Sequence, residues 1–61
     1  MILKDRNGRV IGLGATARPT EGIWANKEGL ITEINESIGN ITLEFENGEI
    51  GVYFNHNIVM C

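Results

Sequence analysis

Three sites in this 61-residue chain hold residue types that could do chemistry. The only histidine, His56, stands five positions before the only cysteine, Cys61. An imidazole titrates near neutral pH and can serve as a general base. No Ser, Asp or Cys is spaced to complete a triad with His56, and a metal would need more ligands than this pair. We therefore read His56 as a turn residue, assign no catalytic and no metal-binding residues, and expect a non-enzyme.

The second site is Gly12-Leu13-Gly14-Ala15-Thr16-Ala17, which follows the apolar pair Val10-Ile11 and fits the pattern G-x-G-x-x-A. In a dinucleotide site those glycines open a helix whose N-terminal amides hold a pyrophosphate. Pro19 and Gly22 forbid that helix here, and no room remains for the second strand of the unit. The glycines are read as bends beside a strand, and no cofactor is expected.

The third site is Trp24, in an irregular stretch from Thr20 to Glu28. Loops on a rigid scaffold commonly carry binding function, and Trp and Tyr are favoured interface anchors. Tyr53 would face outward if Val52 and Phe54 point inward. A partner-binding surface of Trp24, Tyr53 and Arg18 follows as one reading. The other has Trp24 folding back to plug an open end of a thin core. The acidic outward face of Thr42, Glu44, Glu46 and Glu49 is read as an ordinary solvated surface.

The elements that must position these residues are strands. Ile41, Leu43 and Phe45 alternate with Thr42, Glu44 and Glu46, the cleanest period of two in the chain. Leu30 and Ile34, then Ile50, Val52 and Phe54, and finally Ile58 are expected to share the same interior. Leu13, Ala15 and Ala17 could add a strand with small inward residues. Turns are expected near Gly39, at Asn47-Gly48 and at Asn55 to Asn57, the last as a short helical turn. Asn7-Gly8 sits between Met1–Asp5 and Arg9–Leu13 and signals an N-terminal β-hairpin. No window has a helical period. Five to six short antiparallel strands suit a closed or nearly closed barrel, because closure removes exposed edges.

Composition bounds the partners. A chain this short forms one domain, residues 1–61, and buries only about 60% of its unfolded surface. The net charge is −3 and the pI about 4.9. Phosphate binding needs clustered cations, and the five basic residues, Lys4, Arg6, Arg9, Arg18 and Lys27, all fall in the first half. A protein partner is therefore favoured over nucleic acid. A nucleic-acid surface, if present, would draw on Arg6, Arg9, Arg18 and Lys27. One cysteine excludes an internal disulfide, and no apolar run reaches membrane-spanning length. With no signal-like segment, a reducing cytoplasm is expected and no membrane partner.

Glu28-Gly29-Leu30-Ile31-Thr32-Glu33-Ile34 resembles the KOW motif, found in SH3-like barrels of ribosomal proteins and transcription elongation factors. Gly29 to Met60 also resembles small bacterial and phage KOW-type proteins, in Gly29, Ile31, Ile34, Asn35, Glu36, Asn55 and His56. The resemblance implies an all-β, SH3-like (KOW/Tudor-like) barrel and, from the better-known relatives, a nucleic-acid or ribonucleoprotein role. The basic residues usual around the glycine are reduced to Lys27, and Glu28 stands beside it.

Overall fold

The computed structural model describes residues 2–61. Five strands form one antiparallel sheet: β1 Thr16–Pro19, β2 Gly29–Asn35, β3 Asn40–Phe45, β4 Ile50–Phe54 and β5 Ile58–Met60. Their order is β4-β3-β2-β1-β5. A 3-10 turn, Asn55–Asn57, links β4 to β5. No pairing among the described residues joins β4 to β5, so the expected barrel closure is absent from the sheet's hydrogen bonding.

The core is Ile11, Ala17, Ile31, Ile41, Leu43, Phe45 and Ile58. The alternation of β3 places its apolar residues as expected, with Ile41 and Leu43 fully buried. Two neighbouring strands depart from expectation. In β2 the register slips between Ile31 and Glu33. This β-bulge adds a residue at Thr32 and reverses the side-chain phase. Ile31 and Ile34 then both face inward, and Leu30, expected inside, is exposed.

In β4 the expected phase is inverted. Ile50, Val52 and Phe54 are 63%, 58% and 53% exposed, while Gly51 and Tyr53 turn toward the core. The register with β3 is the cause: Gly51 pairs with buried Leu43, and Tyr53 with buried Ile41. Opposed residues share a face, so the inward phase of β3 dictates that of β4. The Tyr53 ring lies across Gly51, where an added Cβ would come within 2.7 Å of it.

The Asn47-Gly48 turn forms as a three-residue loop, not the two-residue turn that Asn-Gly most often signals. Phe45 N donates to Glu49 O at 2.8 Å and Gly48 N to Phe45 O at 2.9 Å. Asn47 Oδ1 accepts from Glu49 N at 3.2 Å, and Gly48 has φ +88°. An L-residue is strained there, while nothing lies within 4 Å of a Cβ added at Gly48. Gly48→Ala is accordingly expected to lower stability by about 1–2 kcal/mol through backbone strain alone, a shift readable in the thermal midpoint. An unchanged midpoint would contradict it.

Residues 5–9 repeat this loop. Asp5 N donates to Arg9 O at 2.8 Å, Gly8 N donates to Asp5 O at 3.1 Å, and Gly8 has φ +83°. The expected N-terminal hairpin is reduced to this turn, the Lys4–Val10 bridge and one bond beyond it, from Ile11 N to Leu3 O at 3.0 Å. The turn is bonded to the last strand as well. Arg6 N donates to Ile58 O at 3.1 Å, and Met60 N donates to Asp5 Oδ2 at 2.7 Å. Asp5 Oδ1 accepts from Asn7 N and Arg9 N at 2.9 and 2.8 Å. Asp5 is thus a buried carboxylate that builds its own turn and ties it to the outer edge of β5.

Candidate binding cleft

Gly29 opens β2 opposite Phe45. A Cβ at Gly29 would stand 3.0 Å from Phe45 Cε1 and 3.1 Å from Leu43 Cβ. The glycine that carries the KOW resemblance therefore makes room for an aromatic ring crossing from β3. With the ring seated there, its outer face is left for Trp24.

The loop from Thr20 to Glu28 delivers that indole through successive tight turns. Ala25 N donates to Gly22 O, Asn26 N to Pro19 O and Lys27 N to Trp24 O, at 3.2, 2.9 and 3.0 Å. Gly22 and Asn26 both take left-handed conformations, φ +86° and +66°. The loop's start is pinned to the 3-10 turn, where Thr20 N and Oγ1 donate to Asn57 O and Asn57 Nδ2 donates to Glu21 Oε2. Trp24 stacks on Phe45 with ring centroids 5.1 Å apart and planes 18° from parallel. It is half-buried and packs against the core.

Between this loop and the Glu46–Gly48 turn lies an open cleft of about 360 Å³. Trp24, Lys27, Glu28, Phe45, Glu46 and Asn47 line it. Two aromatic rings share this lining with one cation, Lys27, and two carboxylates, Glu28 and Glu46. Trp24 packs against the core, as the plug reading expects, and its remaining surface lines the cleft.

The remaining residues of the expected surface lie elsewhere. Tyr53 faces the core from β4, and its half-burial pushes the phenol pKa up by desolvation. Arg18 is exposed on β1 beside Val59. Neither lines the cleft. Of the four basic residues considered for nucleic acid, Lys27 alone lines it; Arg6 lies within the N-terminal turn and Arg9 closes it. Glu28, Glu46 and Asn47 were not foreseen there. The signal for them was the turn at Asn47-Gly48, which had to lie beside whatever covered Phe45. Among the described residues, no three His, Cys, Asp or Glu side chains gather as a metal site. None of those residues forms a helix long and apolar enough to cross a membrane.

The chain matches no protein-family model and has no significant similarity to a curated protein.

Proposed function

We propose that this chain is a non-catalytic interaction module, SH3-like and KOW-related in build, that binds an extended protein segment in the Trp24 cleft of a cytoplasmic protein. The resemblance across Gly29 to Met60 and the meandering antiparallel order support the build. The stacked Trp24–Phe45 pair carries the binding reading. An indole held flat by a second ring offers a large apolar surface at little further entropic cost. Rings of this kind suit proline or aliphatic side chains of an extended segment. With Glu28 and Glu46 outnumbering Lys27 at the rim, a Lys or Arg beside that residue fits best.

Trp24 is the only tryptophan, so its emission reports the site directly. Extended proline-containing peptides, with and without a flanking Arg, should shift that emission saturably, the Arg-bearing set more tightly. Glu46→Lys alters only the rim and should weaken that set about tenfold, while leaving the protein folded. Emission unmoved by any of these peptides, or affinity unchanged in Glu46→Lys, would overturn the reading. Salt-dependent shifts with an RNA oligonucleotide in their place would favour the nucleic-acid alternative.

A further inference from the structure

The two edges of the sheet are treated differently. The edge of β5 is covered by the N-terminal turn, through Arg6 N to Ile58 O and Met60 N to Asp5 Oδ2. The β4 edge lies bare among the described residues. It carries no Lys, no Pro and no bulge, the usual devices against edge pairing. Instead it presents Ile50, Val52 and Phe54, each more than half exposed.

Backbone and side chains agree at these three positions. Hydrogen bonds of an antiparallel ladder alternate, and the hairpin's first bond is Phe45 N to Glu49 O. By that alternation Gly51 and Tyr53 bond to β3, and the N–H and C=O groups of Ile50, Val52 and Phe54 point to the open side.

From this we infer that β4 pairs with β4 of a second copy of this chain, antiparallel about a two-fold axis at Val52. In that register Val52 meets Val52, and Ile50 meets Phe54 on both sides of the axis. Every outward backbone group of the three residues then finds a partner, and the apolar stripe becomes continuous across the join. Charge selects the same arrangement. The acids Glu44, Glu46 and Glu49 crowd the start of β4, while its end leads into Asn55, His56 and Asn57. Two-fold pairing sets Glu49 opposite Asn55 and keeps the acidic ends apart. Parallel in-register pairing would oppose Glu49 to Glu49. Association stops at two copies, because the other edge is already covered.

Sedimentation of the purified chain from micromolar to millimolar concentration tests this. A monomer–dimer equilibrium is expected. Val52→Lys places like charges together on the axis without touching the core, and should weaken the dimer at least about tenfold. Leu13→Lys, at a residue 68% exposed in the turn before β1, should leave it unchanged. In a Cys61→Ser background, Val52→Cys should oxidise to a linked dimer more readily than Ile50→Cys. A native monomer at every concentration, a dimer indifferent to Val52→Lys, or open-ended polymers would each overturn the inference. So would protection of the Val52 amide that arises in cell extract but not with rising concentration of pure protein, since a foreign strand would then be the occupant.

Discussion

Phe45→Ala is expected to remove about 3–5 kcal/mol, a third or more of the stability of so short a chain. Phe45 is 5% exposed, fills the space above Gly29 and supports the stacked Trp24. Truncating a buried phenylalanine costs about 3–5 kcal/mol. A chain this short has about 3–9 kcal/mol in total, at roughly 0.05–0.15 kcal/mol per residue. The loss is therefore a large share of the whole. It also removes the platform that holds Trp24, so loop 20–28 should loosen along with the core. Urea unfolding followed by Trp24 emission and by far-ultraviolet circular dichroism reads both. Phe45→Leu keeps most of the apolar volume and should stay folded, with Trp24 emission shifted toward that of a solvated indole. A Phe45→Ala protein within about 1 kcal/mol of native, with unchanged emission, would show that the ring does not hold the core and Trp24 in place.

Asp5→Ala is expected to cost about 2–3 kcal/mol, the scale of hydrogen bonds to a charged group lost together with the partners left bare. Three backbone N–H groups, of Asn7, Arg9 and Met60, lose their acceptor at once. Asp5→Asn should recover only part of this. Its amide keeps one acceptor oxygen but turns an NH2 toward backbone donors. Burial by itself would raise the Asp5 pKa, but the three hydrogen bonds, from Met60, Arg9 and Asn7, with the Arg9 charge added, hold it below the ordinary 3.8. A carboxylate with a lowered folded-state pKa contributes stability that is complete above its unfolded value of about 3.9 and fades as pH falls through the folded one. Native protein should therefore lose stability below about pH 4 more steeply than Asp5→Asn does. Unfolding free energies measured at pH 7 and pH 3 for both proteins give the comparison. Parallel pH dependences would remove Asp5 from the account. The same substitution uncovers the β5 edge, so Asp5→Ala should also associate beyond a dimer.

Much of this architecture was legible because strands announce themselves locally. The alternation of Ile41, Leu43 and Phe45 was enough to place β3 and its buried face. Glycine and asparagine marked the turns near Gly39, Gly48 and His56, and each is found there. The long loop from Thr20 to Glu28 also stands between β1 and β2 as expected. An alternating strand does not carry its own phase. Ile50, Val52 and Phe54 look as inward as Ile41, Leu43 and Phe45 when each strand is viewed alone. Only the partner strand decides which half of an alternation faces in, and pairing with β3 turned these three outward. The bulge at Thr32 is a similar case, since an extra residue in one strand has meaning only against the residue it fails to oppose.

The candidate cleft divides along the same line. Sequence alone singled out Trp24, because a lone tryptophan in an irregular segment has few structural duties that are visible locally. It could not supply Trp24's neighbours. Phe45, Glu46 and Asn47 reach the cleft from a hairpin that lies more than twenty residues downstream, through contacts that no local pattern encodes. Tyr53 and Arg18 were grouped with Trp24 by type, and the sheet set them elsewhere. Asp5 shows the division most sharply. In the chain it is one acid before an Asn-Gly turn, and its usual fate is solvent. The fold buries it, because the last strand needs an acceptor for Met60 N–H and the first turn holds a carboxylate within reach. By itself the sequence determined that this protein would be strands, where they would turn and which strand would anchor the core. The tertiary structure decided which faces meet water, which edge is guarded and which is open. Those choices depend on pairings between distant segments, and the free energy of burial is shared by both partners.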